Sequence, residues 1–332
     1  MIDLLTIGDI KLDTFITLPH ASVECTLEQQ GCKLCLDYGA KIEVTSSLSQ
    51  IAGSAPNVAI GVAKAKKKTS ILSVMGHDVT HQVALHFLKL HKVDTSLITT
   101  LPGKQSSFSA VLNFQGESTQ LVVHSAVDVK LPAKLPATKW IHLGELGRGY
   151  DKLFRELLAL SKTKNIRLSF NPGQLQIEER KKVLLDLINA SEILFVNLAE
   201  ARLLVDPTAS SAGLPAGDLK SVMTKLYMMG ADDVVITDGL NGAYANDGKT
   251  IIHAPLFPGK RVEATGAGDA FVSGYLSALL LGHTIHTALA WGSVNAASVV
   301  GHIGPTAGLL TPEEITRKLS LKPSYRVRSI SS

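Results

Sequence analysis

Short apolar runs alternate with amphipathic stretches along most of this chain. The apolar runs, at residues 4–7, 70–74, 140–143, 166–170, 193–196 and 234–237, have the length of buried strands. Between them, stretches such as 153–161 and 183–188 repeat apolar residues with a helical period. This alternation predicts an α/β fold with a central, mostly parallel sheet that is flanked by helices on both faces.

Two segments, about 13–50 and 99–124, follow a different pattern. They alternate apolar and polar residues, most clearly at 107–114. A period of two residues is that of a strand with two unlike faces. We therefore expect β-hairpins in both segments.

The longest apolar stretch of the chain is residues 270–300. Ser273, Gly274 and Gly282 are among the residues that interrupt it, so it lacks the ~20 clean apolar residues of a membrane span. It predicts two buried helices instead. Residues 321–332 follow neither period, and we expect a flexible tail after a single domain at 1–320.

Composition and charge narrow the classes of function. The chain has 332 residues, of which 45% are hydrophobic, enough for a large core. Its net charge is +4, from 33 basic and 29 acidic residues. This charge is too small and too scattered to indicate a nucleic-acid partner, and the lysine-rich run at 64–68 is typical of a solvated helix end. Met1 leads into an apolar strand without a basic leader, so we expect a cytoplasmic protein with no membrane partner.

The cysteines, Cys25, Cys32 and Cys35, are an odd number and offer no disulfide framework. Cys32 and Cys35 have the spacing of a zinc-binding pair, which Cys25 and His20 could complete. Because the sequence has no second paired motif, we expect ordinary thiols.

The most informative motif is Glu263-Ala264-Thr265-Gly266-Ala267-Gly268-Asp269, which runs directly into the apolar stretch. Its small residues let backbone N–H groups approach an anion, and the N-terminus of the helix that follows adds positive potential. A carboxylate at Asp269 would repel a phosphate there unless it takes a proton from an attacking hydroxyl. The motif therefore indicates phosphoryl transfer to an alcohol.

This turn resembles the signature Asp-Thr-x-Gly-Ala-Gly-Asp of the ribokinase-like (PfkB) carbohydrate kinase family. The resemblance implies that Asp269 deprotonates the acceptor hydroxyl, while the backbone N–H groups of Gly266, Ala267 and Gly268 neutralise the migrating phosphoryl group. Glu263 and Ala264 stand where the family has Asp and Thr. Many members have a site for a monovalent cation such as K⁺ beside this turn. Because of the two departures, the resemblance does not decide whether this chain keeps that site.

Further motifs follow in the order that the family has them. The resemblance assigns Asp13, in Gly8-Asp9-Ile10-Lys11-Leu12-Asp13, to the hydroxyls of a sugar. It assigns Gly53 and Asn57 to the same sugar; they belong to a Gly-x-x-x-Asn-x-Ala motif, and Ala52 stands where the family has a preceding Gly. Glu145, which follows the strand at 140–143, is also assigned to the sugar. The motif at 75–78, Met-Gly-His-Asp, is interpreted as structural.

The remaining motifs are assigned to the nucleotide and its metal. Asn197 and Glu200 match the family's Asn-x-x-Glu, which is associated with Mg²⁺ and its water shell; their alternative role is to cap a helix. Thr237, Gly239 and Gly242 resemble its ATP loop, although a glycine-rich hairpin would look the same. Asn295 matches an Asn near the adenine.

In the family, the segments at about 13–50 and 99–124 form a small β lid that closes over the sugar and excludes water. The lid of this chain is enlarged by about residues 21–38. We also expect a homodimer that is assembled through the lid.

The sequence as a whole predicts an ATP-dependent, Mg²⁺-dependent kinase of a small sugar. A nucleoside kinase is the alternative, with Phe108 and Phe114 as an aromatic platform for a base. A phosphorylated or acidic acceptor is suggested by Lys11, which shares a strand face with Asp13, although a salt bridge of Lys11 with Asp13 or Asp9 is the expected explanation. A non-catalytic sugar or nucleotide sensor would not need Asp269.

Overall fold

The structure is a computed structural model, and it describes residues 1–26, 31–125, 128–163, 166–206 and 219–330. The strands are β1 (Ile2–Ile7), β2 (Lys11–Thr17), β3 (Ser22–Thr26), β4 (Gly31–Cys35), β5 (Ser46–Ala52), β6 (Thr69–Gly76), β7 (Val93–Asp94), β8 (Ile98–Leu101), β9 (Ser107–Phe114), β10 (Glu117–Val123), β11 (Thr138–Leu143), β12 (Arg167–Phe170), β13 (Ile193–Asn197), β14 (Asp233–Thr237), β15 (Ala243–Asn246), β16 (Ile251–Ala254) and β17 (Arg328–Ile330). The helices are α1 (Ser54–Lys64), α2 (Val79–Leu90), α3 (Asp151–Thr163), α4 (Gln174–Glu179), α5 (Lys182–Asn189), α6 (Leu198–Val205), α7 (Leu219–Met228), α8 (Ala267–Leu280), α9 (Ile285–Val299) and α10 (Pro312–Ser320).

The main sheet runs in the order β17-β16-β15-β14-β13-β12-β11-β1-β6-β7, and β8 also pairs with β6. The strands from β14 to β7 pair in parallel, whereas β15, β16 and β17 are antiparallel. Each apolar run that was predicted as a strand forms one of the parallel strands. The predicted mostly parallel α/β sheet is therefore confirmed.

Both faces of the main sheet are buried. On one face, Leu5 and Ile7 of β1 belong to a core cluster with residues of α3, α5, α6 and α7. On the other, Leu4 of the same strand belongs to a cluster with residues of α1, α8 and α9. Because successive residues of a strand point to opposite faces, one short apolar strand contributes to two cores.

The long apolar stretch forms α8 and α9, as predicted, which pack against each other with their apolar side chains buried. Within the described residues, no helix is both long enough and apolar enough to cross a membrane.

The segments predicted to form a lid contribute a second sheet, in the order β10-β9-β2-β5. In this lid sheet, β2 pairs in parallel with β9 and antiparallel with β5. The segment at 21–38 adds a separate hairpin of β3 and β4, and its residues 27–30 lie outside the described residues.

The prediction that the cysteines remain ordinary thiols was wrong for two of them. Cys25 and Cys32 form a disulfide, and Cys35 is free. The hairpin register places Cys25 directly opposite Cys32, with Cα atoms 4.2 Å apart, a pairing that residue spacing alone does not show. Among the described residues, no group of three or more His, Cys, Asp or Glu side chains is arranged to hold a metal ion.

The prediction for residues 321–332 was also wrong in part. Arg328–Ile330 forms β17, which pairs antiparallel with β16 at the edge of the main sheet. Tyr325 packs edge-to-face on Phe257, with ring centroids 5.1 Å apart. An edge strand has unpaired backbone groups that can take up a short segment whatever its side-chain pattern. Residues 331 and 332 lie outside the described residues.

Candidate active site

A polar cavity of about 260 Å³ lies at the carboxyl ends of the parallel strands, beneath the lid. This is where open α/β sheets bind ligands, because the strands end there and leave a crevice. We call it the acceptor cavity. Its lining residues are Lys11, Asp13, Gly53, Ser54, Asn57, Gln120, Glu145, Asn171, Pro172, Gly173, Gln174, Glu200, Thr265, Gly266 and Asp269.

The glycine-rich turn ends at the first residues of α8. Gly266 is the N-cap residue, with φ +79, and a Cβ there would collide with Pro305. Only glycine fits this left-handed position without strain. Asp269 lies in the first turn of the helix. The turn thus points a carboxylate into the acceptor cavity from a rigid helix N-terminus.

Asp269 is held by α1. Asn57 donates its side-chain amide to Oδ2 of Asp269 at 2.8 Å. Burial raises the pKa of the Asp269 carboxyl above its ordinary value, while Asn57, Ser54 and Lys11 act in the opposite direction. A carboxyl with a raised pKa is a better proton acceptor once it is ionised.

Lys11 pairs with Glu145 and not with the expected Asp13 or Asp9. Its Nζ lies 3.5 Å from Oε2 of Glu145, and its side chain is only 7% exposed. Burial lowers the pKa of Lys11, but the charges of Glu145, Asp13, Asp9 and Asp269 outweigh it, so that the net shift is upward. The ammonium is therefore compensated by carboxylates before any ligand binds.

Asp13 is buried on the inner face of the lid sheet, at 2% exposure. Ser109 of the neighbouring strand β9 donates its hydroxyl to Oδ1 of Asp13 at 2.7 Å. Burial raises the pKa of Asp13, against the charge of Lys11. A carboxylate that is costly to bury and faces a polar cavity is suited to accept hydroxyl groups of a ligand.

A second cavity, of about 340 Å³, lies on the other side of the glycine-rich turn. We call it the nucleotide cavity. Thr237, Gly239 and Gly242 line it together with Ala267 and Gly268. Its other lining residues, mostly apolar, are Leu240, Ala243, Leu256, Phe257, Gly259, Arg261, Ala264, Phe271, Ser293, Ala296, Ala297 and Val300.

The residues of this cavity fit a nucleotide. At Gly268 a Cβ would meet no atom of the described residues within 4 Å, so the space in front of it belongs to the cavity. At Gly242, with φ +90, a Cβ would collide with the Ala254 carbonyl, so the loop itself requires glycine. The N–H of Ala267 donates to the Ala264 carbonyl at 3.2 Å, so the turn itself uses one of the amides that were expected to face phosphate.

Asn197 and Glu200 form a capping box at the start of α6. Each accepts a hydrogen bond at 2.9 Å from the backbone N–H of the other, which was the alternative reading of this motif. Glu200 also lines the acceptor cavity. Burial, together with the charges of Glu145 and Asp269, raises the pKa of Glu200 to about 7 although the Asn197 amide opposes this. A single carboxylate of this kind suits a divalent cation that keeps most of its waters.

Asn295 does not line either cavity, contrary to its predicted role at the adenine. It is buried between α8 and α9, where its Nδ2 donates to the Ala270 carbonyl at 2.8 Å and to the Ser273 hydroxyl at 3.1 Å. Its Oδ1 accepts the N–H of Leu310 at 2.9 Å. These three hydrogen bonds stabilise the packing of α9 against its neighbours. Both N–H groups of the amide are used, so neither is left to donate to a nucleotide.

Glu263 is buried beside the turn. Its Oε1 accepts the N–H of Thr265 at 2.6 Å and the hydroxyl of Ser118 at 3.1 Å, and its Oε2 accepts the N–H of Gly304 at 3.4 Å. Ser118 belongs to the lid strand β10. The carboxylate therefore links the turn to the lid.

Phe108 and Phe114 lie on the outer face of the lid sheet. Ser109 contacts Asp13 on the inner face, and strand residues alternate, so Phe108 and Phe114 point to the opposite side. Neither lines the acceptor cavity. The aromatic platform that a nucleoside acceptor would need is therefore not supplied by these two residues.

Some cavity residues were not predicted as site residues, notably Ser54, Gln120, Thr265, Asn171 and Gln174. Asn171 follows β12, and a polar residue after a buried strand is a signal that could have identified it. Gln120 is different, because its place on the inner face of the lid depends on the register of β10 with β9.

Comparisons with known proteins agree with this geometry. The model of the "pfkB family carbohydrate kinase" matches residues 19–312. The chain is 24% identical over 281 residues to a nucleoside kinase of Methanocaldococcus jannaschii, a match that covers 84% of this chain and 88% of that protein.

Solved structures with low sequence identity share the fold. Ribokinase of Arabidopsis thaliana, in complex with ribose and ATP, superimposes with a TM-score of 0.77 at 16% identity and covers 96% of this chain and 99% of its own. An E. coli protein assigned as ribokinase II, in complex with ATP and Mg²⁺, gives a TM-score of 0.75 at 19% identity, with 97% of this chain and 100% of its own covered. The fold is therefore ribokinase-like.

Proposed function

Because the chain belongs to the pfkB family of carbohydrate kinases, we propose that it transfers the γ-phosphoryl group of ATP to a hydroxyl of a small sugar. One observation carries this proposal. A single turn separates the two cavities, with Gly266 and Asp269 on the acceptor side and Ala267 and Gly268 on the nucleotide side. Two substrates bound in these cavities would meet at that turn.

Asp269 acts as the general base in this proposal. Its carboxylate takes the proton of the acceptor hydroxyl as the oxygen attacks phosphorus, and the Asn57 amide holds the carboxylate in place. The N-terminus of α8 supplies positive potential where negative charge develops on the transferred group. In-line attack then depends mainly on how the two cavities position the substrates.

ATP occupies the nucleotide cavity in this proposal. Thr237, Gly239 and Gly242 contact its phosphate and ribose side, and Gly268 leaves room for phosphate. The apolar wall, which includes Phe257, takes the base in place of the contact that was expected from Asn295. Asn197 and Glu200 would hold Mg²⁺ largely through its water shell, and the bound ion would supply positive charge beside the phosphates.

The acceptor is a neutral sugar. Among the described residues, the charged groups that line its cavity are the ammonium of Lys11 and the carboxylates of Asp13, Glu145, Glu200 and Asp269. A phosphorylated or acidic acceptor would meet a surplus of negative charge, and repulsion between like charges is strong where water is excluded. Asp13, Glu145 and the backbone at Gly53 instead offer acceptors and close approach for hydroxyl groups.

A nucleoside kinase remains the second candidate, since a relative named nucleoside kinase aligns with most of the chain. The outward position of Phe108 and Phe114 counts against it. The K⁺ site also stays a prediction, because Glu263 already accepts hydrogen bonds from Thr265, Ser118 and Gly304.

The lid also supports a proposed homodimer. Part of its outer face is exposed and apolar, with Leu121 58% and Val123 64% exposed beside Phe108. A second copy of this lid would bury those side chains. The oligomeric state in solution tests this arrangement. The cytoplasmic location stays a prediction.

The test is an acceptor panel with ATP and Mg²⁺. Neutral pentoses and hexoses, nucleosides, sugar acids and sugar phosphates are each assayed for ADP release, and products are identified by mass spectrometry. Protein with Asp269→Asn, purified in the same way, is the control for contaminating kinases. Turnover of a neutral sugar is expected. A nucleoside as the best acceptor would favour the second candidate, and ligand binding without turnover would indicate a sensor.

A further inference from the structure

The strands of the lid are tied to the main body around the carboxylate of Asp9, which lies between β1 and β2. Ser107, the first residue of β9, donates its hydroxyl to Oδ1 of Asp9 at 2.9 Å. Nδ1 of His124, which follows β10, lies 2.9 Å from Oδ2. The N–H of Ser125 donates to the Ser107 hydroxyl at 2.7 Å. The ends of β2, β9 and β10 therefore converge on one side chain, and we call this group the lid hinge.

His124 also lies beside Glu145, which lines the acceptor cavity. Its Nε2 lies 4.0 Å from Oε1 of Glu145, while the other oxygen of Glu145 lies 3.5 Å from Nζ of Lys11. The Asp9 N–H donates to the Glu145 carbonyl at 3.1 Å. Glu145 is thus held between a cation on β2 and the imidazole of the lid hinge.

The charged groups around His124 favour its protonated form. The hydrogen bond with Asp9 raises the pKa of His124, burial lowers it, and the charges of Asp9 and Glu145 raise it further against that of Lys11. Both ring nitrogens of an imidazolium carry a proton, whereas neutral imidazole has one N–H. Only the charged ring can direct an N–H group to Asp9 and another to Glu145 at the same time.

We infer that His124 is a positioning residue, which joins the lid hinge at Asp9 to the acceptor-binding carboxylate of Glu145. Lid closure over the acceptor and the orientation of Glu145 then depend on the same side chain. This inference rests on the proposed function, in which Glu145 binds the acceptor. His124 itself stays outside the reacting groups.

Two amide variants separate the two contacts. In His124→Asn the amide nitrogen stands near the place of Nδ1 and keeps the bond to Asp9, whereas in His124→Gln it stands near the place of Nε2 and keeps the contact with Glu145. We expect each variant to raise the acceptor KM roughly tenfold, with the ATP KM unchanged. The wild-type kcat/KM for the acceptor should fall as pH rises through the pKa of His124, and this alkaline limb should be absent from both variants.

A double-mutant cycle tests whether His124 acts through Glu145. In a Glu145→Gln background, His124→Asn should have little further effect on the acceptor KM, because the two residues act as one unit. His86→Asn, at an exposed position of α2, is the matched control and should behave as wild type.

This inference is overturned if both variants keep the acceptor KM and the pH profile of the wild type, or if the two substitutions of the cycle act independently. Either result leaves the proposed function intact, because the wild-type enzyme still phosphorylates its acceptor. A wild-type protein that phosphorylates no member of the acceptor panel would overturn the proposed function and this inference together. Should His124→Asn fail to fold, His124→Gln carries the same KM and pH measurements.

Discussion

Asn57 and Asp269 are joined by a hydrogen bond of 2.8 Å between the Asn57 amide and Oδ2 of the carboxylate. The bond connects α1 to the first turn of α8, and both residues line the acceptor cavity. The Nδ2 of Asn57 orients the proposed base, while its Oδ1 has no hydrogen-bond partner among the described residues, so the contact of Asn57 with a sugar stays a prediction. A carboxylate that is fixed before the acceptor binds needs no reorganisation during reaction.

The Asp269→Asn variant should bind ATP with nearly wild-type affinity while turnover falls by ~10²–10⁴, the usual contribution of a positioned general base. The amide cannot take the proton, whereas the nucleotide cavity is lined by other residues, such as Thr237 and Gly268. Calorimetric titration with ATP and steady-state kinetics measure the two effects. Near wild-type turnover would show that Asp269 is not the base.

Asn57→Asp should move the acid limb of kcat/KM to higher pH. Burial already raises the pKa of Asp269, and a second carboxylate at hydrogen-bond distance raises it further because two such groups cannot both ionise. Activity is lost as pH falls through the pKa of the base, so the variant should lose it at a higher pH. Asn57→Leu, which removes the amide without adding charge, is the control and should give a smaller shift. An acid limb that stays in place in Asn57→Asp would contradict this role of Asp269.

Gly268→Ala should impair catalysis without harm to the fold. Within the part of the chain that the structure describes, a Cβ at Gly268 meets no atom within 4 Å, and Ala in a helix is favoured over Gly by about 0.5–1 kcal/mol. The methyl group would instead occupy the space assigned to phosphate, so the ATP KM should rise and kcat should fall. Gly266→Ala is the contrast: with φ +79 and Pro305 in the way, it should lower the melting temperature. Unaltered kinetics of Gly268→Ala would show that phosphate does not bind there.

The parallel strands were predictable because each is a short apolar run that is buried on both faces. Leu4 and Leu5 show why: they are neighbours in β1, yet they belong to cores on opposite sides of the sheet. The glycine-rich turn was predictable as well, since Gly266 meets a local backbone requirement at φ +79. Local sequence carries both signals.

Other features depend on register and tertiary packing, which local sequence does not contain. Phe108 points away from the acceptor cavity because of the pairing of β9 with β2, and Cys25 meets Cys32 because of the register of β3 with β4. Asn295 has the residue type of a ligand contact, but the packing of α8 on α9 uses its amide entirely. Such assignments need the three-dimensional arrangement.

Asn295→Ala should destabilise the protein and leave the ATP KM of the folded enzyme nearly unchanged. The variant leaves the Leu310 N–H without its partner, and an unsatisfied buried donor costs about 1–3 kcal/mol. Urea unfolding measures the loss of stability, and kinetics below the unfolding transition measure the ATP KM. A stable variant with a strongly raised ATP KM would restore the predicted contact of Asn295 with the nucleotide.

Asp13→Asn should raise the acceptor KM while the ATP KM barely moves, because Asp13 lines only the acceptor cavity. The loss of a hydrogen bond from a ligand hydroxyl to a charged acceptor costs about 1.5–3 kcal/mol, which corresponds to roughly a 10- to 150-fold change in affinity.

The stability of the Asp13→Asn variant should not fall. Burial raises the pKa of Asp13 in the folded protein, so its stabilising effect is present below the unfolded pKa and is lost as pH rises through the folded pKa. Above the folded pKa the ionised carboxylate therefore destabilises the fold, and at such a pH Asn should equal or increase the melting temperature. Thr14→Ala, at the next position on the outer face of the same strand, is the matched control. If Asp13→Asn lowers stability and leaves the acceptor KM unchanged, Asp13 holds the lid together and does not bind the acceptor.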